Sequence, residues 1–255
     1  MTPIHVSRRR FTAIATGALA STALGGCVES FQLPLFDGRL KARPRGSAPA
    51  SSAPDGDRPL WLNERRDAML HVPAGSRERP LPLLVLLHGA TGSGEGVLQR
   101  LSSSLAEVPT VVLSPSSRDT TWDAIRGGFG PDVAAIDRAL TKVFDTVAID
   151  PGRIAVGGFS DGATYALSLG LINGDLFSRV VAFSPGFVVE GEPHGRPKFY
   201  ISHGTSDRIL PIDQASRAIV PDLKRRGYDV TYKEFAGGHD VPPAIARDAL
   251  AWIAA

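Results

Sequence analysis

The chain has 255 residues, 28 Lys and Arg against 26 Asp and Glu, and a single cysteine. A net charge of +2, with no basic helix face and no interleaving of basic and aromatic residues, gives no sign of a nucleic-acid surface. One cysteine excludes an intramolecular disulfide and any metal site built on cysteine, and no cofactor or metal is called for.

Ser7-Arg8-Arg9-Arg10-Phe11-Thr12 resembles a twin-arginine export signal. A mildly apolar run, Ala13 to Leu24, follows it and is too short to span a membrane. The run ends in Leu24-Gly25-Gly26-Cys27, which resembles a bacterial lipobox and makes Cys27 the candidate lipid-attachment residue. The expected organisation is an export signal over 1–27, a flexible tether over 28–58 and a catalytic domain over 59–255. The expected location is the cell envelope or periplasm, with the membrane reached only through a lipid anchor. Lys41 to Arg58 is rich in Pro, Gly, Ser, Ala and Arg, so it is expected to bury too little to offset its conformational entropy. A chain starting near Pro59 is therefore expected to fold unaided.

The remaining residues, about 200, suffice for one domain with a sizeable core. Ala68 to Val72 reads as an early strand. Leu81 to Leu87 is continuously apolar, as in a strand covered on both faces. It ends in the glycine-rich loop His88-Gly89-Ala90-Thr91-Gly92-Ser93-Gly94, after which a helix is expected to about Glu107. Thr110 to Leu113 reads as a strand. Val133, Ile136, Leu140, Val143 and Phe144 have helical spacing behind Pro131-Asp132. Arg153 to Gly157, Arg179 to Phe183, Lys198 to Ser202 and Tyr228 to Phe235 read as strands. A helical stretch runs from about Ile212 to Arg226, where Pro221 is expected to kink or divide it. Pro242-Pro243 opens a last helix. Strands alternating with helices predict an α/β fold with a mostly parallel central sheet flanked by helices.

The chemistry centres on Gly158-Phe159-Ser160-Asp161-Gly162. A strand-length apolar run precedes it and a helix-length one follows, the context in which G-x-S-x-G forms a nucleophile elbow. The turn strains the serine backbone so that its hydroxyl stands clear, and Gly158 and Gly162 fit where strand and helix pass too closely for side chains. Serine is a poor nucleophile at neutral pH and needs a base. His239, after the last strand, can take the proton and return it. Asp207, in His203-Gly204-Thr205-Ser206-Asp207, can fix the imidazole tautomer. All three follow strand ends, where function gathers in such sheets. Asp213 is the competing acid, but its place at a helix start accounts for it by charge balance. Asp240 reads as solvated, His88 and His203 as loop-shaping hydrogen-bonding groups, and His5, His71 and His194 have no supporting context. The amides of Asp161 and Ala90 are the candidate oxyanion donors.

On Leu87-His88-Gly89-Ala90, Gly158 to Ala163, His203 to Asp207 and Gly238-His239, the chain from about Leu60 onward resembles α/β-hydrolases. The likeness is to the esterase group that includes acyl-protein thioesterase-like carboxylesterases and polyhydroxyalkanoate depolymerase-like esterases. The resemblance implies a donated amide at Ala90 and makes Trp122, in the pair Trp122-Asp123, a candidate substrate contact. The triple-glycine oxyanion loop of lipases is absent. Ser184 to Pro197 is too short for a helical cap, so no separate lid domain is expected.

The expected function is hydrolysis of a short-chain or accessible carboxylic ester, on a small molecule or a polymer, through an acyl-enzyme on Ser160. Thioesterase, lactone hydrolase and peptidase readings keep the same triad. A non-catalytic, lipid-tethered binding protein is the reading from another class.

Overall fold

The computed structural model describes residues 37–44, 52–62, 66–74 and 79–255. The expected export signal over 1–27, with Cys27, lies outside the described residues. Eight strands form one sheet: β1 (Gly56–Pro59), β2 (Met69–Val72), β3 (Leu81–Leu87), β4 (Val111–Ser114), β5 (Ile149–Phe159), β6 (Arg179–Phe183), β7 (Lys198–Gly204) and β8 (Val230–Phe235). Their spatial order is β1-β2-β4-β3-β5-β6-β7-β8. The β1–β2 and β2–β4 pairs are antiparallel and the others parallel.

The side-chain alternation of the strands feeds two cores. Leu83, Val85 and Leu87 of β3 join Val111, Ile154, Val180 and Ile201 on one face. Leu84 and Leu86 join Val112, Ala155, Val181 and Tyr200 on the other. The first face is covered by α3 (Pro131–Thr146), α4 (Asp161–Ile172) and α5 (Ser216–Arg225). The second is covered by α1 (Gly94–Leu105) and α6 (Pro243–Ala254). A short helix, α2 (Asp123–Arg126), lies in the loop after β4. No helix among the described residues is long and apolar enough to cross a membrane.

Two expectations need correction. Pro221 lies inside α5, which stays one helix; the break falls earlier, in a turn where Ile212 O accepts the amides of Ala215 and Arg217. Pro221 is the sixth of the ten residues of α5, so it withholds one amide donor from the helix without ending it. Second, residues 37–44 and 52–58 do not behave as a tether. Leu40, Ala42 and Ala53 are buried in the first core, and Gly56–Pro59 forms β1. Arg39 forks onto Asp175, at 2.8 and 2.9 Å, and also donates to Ile172 O at the end of α4. Arg43 reaches Asp175 at 2.6 Å. Asn173 accepts from Leu40 N and donates to Gly38 O, both at 2.8 Å. Composition alone misses this docking because it rests on two arginines at a helix C-terminus and one buried leucine, not on an apolar run.

Candidate active site

Order along the sheet reverses between β3 and β5, so the ends of these strands open a crevice. The turn after β3 and the elbow after β5 meet there. Ser160 sits at φ 57° and ψ −121°, a conformation a residue with a Cβ adopts only when its surroundings impose it. The surroundings are the amide of Ser160 on Phe183 O at 3.0 Å and the amides of Ala163 and Thr164 on Ser160 O. A Cβ on Gly158 would lie 2.4 Å from the Gly162 carbonyl, and one on Gly162 would lie 2.2 Å from Leu87 O. The two glycines thus allow β5, α4 and β3 to converge beneath the serine.

The structure brings Ser160, His239 and Asp207 together. His239 Nε2 lies 2.9 Å from Ser160 Oγ, and His239 Nδ1 lies 2.6 Å from Asp207 Oδ2. With Asp207 ionised, Nδ1 carries the proton and donates it, leaving Nε2 free to accept from the serine hydroxyl. The histidine loop is pressed onto the end of β7: a Cβ on Gly204 would lie 2.1 Å from Gly238 O, and Ser206 N donates to Gly237 O. The Phe159 ring packs on the imidazole at 4.7 Å. Burial alone would push the Asp207 carboxyl up; bonds from His239 and from the amides of Leu210 and Ile209 outweigh it and hold the group below the usual carboxylate range.

The turn carrying Ala90 stands beside the nucleophile, since a Cβ on Gly89 would lie 3.3 Å from Ser160 Cβ. Asp161 opens α4, so by position its amide has no intrahelical acceptor. Thr121 Oγ1 donates to Asp161 Oδ2 at 2.6 Å. His88 is buried, and its Nε2 accepts from Ser117 N at 2.9 Å while Nδ1 donates to Gly89 O at 2.6 Å. It shapes the loop, and burial pushes its pKa down.

Trp122 is not a substrate contact. It is fully buried, donates through Nε1 to His88 O at 2.9 Å, and lies between the rings of His88 and Tyr165 at 4.9 and 5.1 Å. Its flat, apolar body packs beneath the turn that carries Ala90. Asp213 is paired with Arg217 on the surface and Asp240 with Arg100. His71 pairs with Asp57 and His194 with Glu192 O. Ser184 to Pro197 contains no helix and is pinned to α4 through Thr164 and Ser168. Among the described residues no group of three or more His, Cys, Asp or Glu side chains is placed to hold a metal ion.

Sequence reasoning did not reach the partners in two networks that support the site, although it read His203 as a loop-shaping hydrogen-bonding group. Asp123 and Asp132 bind each other's backbone, and His203 and Ser216 reach behind Asp207. Asp132 had one visible signal, its place just inside the start of α3.

Among solved structures, an S-formylglutathione hydrolase (FrmB) from Staphylococcus aureus superposes with a TM-score of 0.66 at 19% identity, over 82% of this chain and 100% of that one. A Bacillus cereus carboxylesterase superposes with a TM-score of 0.59 at 20% identity, over 76% of this chain and 96% of that one. The fold is that of the α/β-hydrolases. The profile of the Phospholipase/Carboxylesterase family matches residues 132–255 of this chain, the stretch that holds Ser160, Asp207 and His239. An acyl-protein thioesterase 1 from Emericella nidulans is 27% identical over 110 residues, 39% of this chain and 46% of the relative. The match thus spans about half the length of that relative.

Proposed function

We propose that this chain is a serine hydrolase that cleaves carboxylic esters through an acyl-enzyme on Ser160. The observation that carries the reading is the continuous line from Ser160 Oγ to His239 Nε2, 2.9 Å, and from His239 Nδ1 to Asp207 Oδ2, 2.6 Å, at a strained elbow. In the first step Ser160 Oγ attacks the acyl carbon while its proton passes to His239 Nε2. The carbonyl electrons move to oxygen, where the amides of Ala90 and Asp161 stabilise the charge. The intermediate collapses, and the leaving alkoxide takes the proton from His239. Water then repeats the sequence on the acyl-enzyme: His239 takes its proton, the tetrahedral intermediate collapses, and Ser160 regains a proton as the acid leaves. Asp207 stays ionised throughout and stabilises the imidazolium.

A short-chain preference follows from the same site. The cleft beside Gly89 and Ala90, bounded by Phe159 and Arg100, measures about 200 Å³, below the usual size of sites that enclose drug-sized ligands. Each buried methylene contributes about 0.8 kcal/mol, so an open site gains little from a longer chain. A thioester is the second reading, favoured by the likeness to an acyl-protein thioesterase. The test is labelling by a fluorophosphonate probe. Labelling of the native chain and none of Ser160→Ala is expected; an unlabelled, folded native chain removes the enzyme reading and leaves a binding protein. Rates on p-nitrophenyl esters from acetate to palmitate, beside matched thioesters, separate the substrate readings.

We further propose that the chain is exported and held at the membrane by lipid on Cys27. The sequence Leu24-Gly25-Gly26-Cys27 behind an arginine-rich start supports this. Cys27→Ser is expected to move the protein from the membrane to the soluble fraction; retention in the membrane fraction would contradict it.

A further inference from the structure

Five hydrogen bonds run without a gap from α5 to the nucleophile. Ser216 Oγ lies 2.7 Å from His203 Nδ1, and His203 Nε2 lies 2.8 Å from Leu210 O. Leu210 N donates to Asp207 Oδ1 at 2.9 Å. Asp207 Oδ2 accepts from His239 Nδ1, and His239 Nε2 faces Ser160 Oγ. A carbonyl oxygen only accepts, so the proton of His203 is on Nε2, and Nδ1 accepts from the Ser216 hydroxyl.

We propose that His203 and Ser216 are positioning residues of the hydrolytic site, fixing through one neutral imidazole tautomer the turn that aims Asp207 at His239. The inference rests on the serine-hydrolase reading and extends it to two residues that touch no substrate. Both are fully buried, so their bonds have no competing water. His203 ties the far end of the 207–210 turn, while the amides of Ile209 and Leu210 tie its near end to Asp207 Oδ1. Neither oxygen of the carboxylate can then rotate away from His239 without breaking a buried bond. His203 Nε2 also stands 3.1 Å from Asp207 Oδ2. The positive end of a neutral N–H dipole therefore faces the carboxylate and tempers its charge without adding a second titrating cation. Burial pushes the His203 pKa down, in keeping with a neutral ring. The other titratable groups facing this cluster are His239 after β8 and Glu234 on β8; Glu234 is paired with Arg217 of α5, which also holds Asp213.

The test is ester hydrolysis by His203→Phe, His203→Gln and Ser216→Ala, measured as kcat, KM and the acid limb of the pH profile. His203→Phe keeps the ring and removes the donor. Its kcat is expected to fall about tenfold or more with KM nearly unchanged, since misaimed groups slow the reaction without weakening binding. Its acid limb is expected to move to higher pH, because an untempered Asp207 stabilises the His239 imidazolium more. His203→Gln returns an N–H near the same place and is expected to recover part of both effects. Ser216→Ala leaves Nδ1 unfilled and is expected to fall between. A folded His203→Phe with native kcat and acid limb overturns the proposal, as does His203→Gln performing no better than His203→Phe. If His203→Phe does not fold, native kinetics in Ser216→Ala overturn it instead. A native chain that takes no fluorophosphonate refutes the serine-hydrolase reading itself, whereas a labelled native chain with unaffected variants refutes only this inference.

Discussion

Asp123 and Asp132 cap each other's backbone. Asp132 Oδ2 accepts from Asp123 N at 2.9 Å, and Asp123 Oδ2 accepts from Asp132 N at 2.8 Å. Asp132 Oδ1 also accepts from Arg118 N, and Tyr165 OH donates to Asp123 Oδ1. The clasp joins the starts of α2 and α3 and holds the loop whose Thr121 reaches Asp161 and whose Trp122 reaches His88. Two helix N-termini with acidic residues each need acceptors, and here each supplies the other's.

The clasp carries a pH signature. Burial, aided by the nearby Asp123 charge, raises the Asp132 carboxyl to about 6, while burial also raises Asp123. A folded value above the unfolded one means the stability from this group is complete below about pH 4 and is lost as pH rises through about 6. Relative to Asp132→Asn, the native chain is therefore expected to gain roughly 1–3 kcal/mol on going from pH 7.5 to pH 4. Urea unfolding of both across that range checks it. At pH 7.5 the variant is still expected to be the less stable, because its amide turns an N–H toward an amide donor. Parallel stability curves would contradict the assignment. Below about pH 4 both chains are expected to lose stability, since Asp207 and Asp175 are held below the usual carboxylate range and lose stabilising bonds as they protonate.

The elbow predicts opposite fates for two glycines. In Gly162→Ala the new Cβ would lie 2.2 Å from Leu87 O and 2.5 Å from His88 O, both backbone atoms of the neighbouring strand and turn. The variant is expected to lose about 3 kcal/mol or more, or to aggregate. In Gly96→Ala the nearest atom is Ser93 Oγ at 3.4 Å, an ordinary contact in the first turn of α1. Stability there is expected to be unchanged or raised by up to about 1 kcal/mol. Thermal melts of the pair decide it; equal effects would contradict the close approach.

The docked segment before β1 reverses the expectation that a chain starting near Pro59 folds unaided. Such a truncation removes Leu40, Ala42 and Ala53 from the core, the fork from Arg39 to Asp175, and most of β1. A chain starting at Asp37 is expected to match the full chain, and one starting at Pro59 to melt clearly lower. Asn173→Ala, losing buried bonds to Leu40 N and Gly38 O, is expected to cost about 1–3 kcal/mol. Identical melting of the two truncations would restore the tether reading.

The strands and the elbow were legible because their signals are local. Leu81 to Leu87 is apolar throughout, and Gly158 to Gly162 has a strand before it and a helix after it. The placement of Asp207 and His239 followed from their position after strands, a topological rule that needs no contact map. What stayed hidden depends on long-range partners. Arg39 and Leu40 look like linker until Asp175 and Asn173 are seen beside them. Trp122 reads equally as a ligand contact or as packing until the His88 carbonyl takes its N–H. His203 reads as a loop-shaping hydrogen-bonding group, but its partners Ser216 and Leu210 emerge only when both ring nitrogens are followed.

The central claim is that Ser160 carries the acyl group. The direct measurement is the intact mass, then the peptide map, of protein acid-quenched during turnover of a p-nitrophenyl ester. One acyl group on the peptide holding Ser160, enriched when deacylation is slow and absent in Ser160→Ala, is the result expected. Sustained ester turnover by Ser160→Ala, or an acyl group trapped on another residue during turnover, would contradict it.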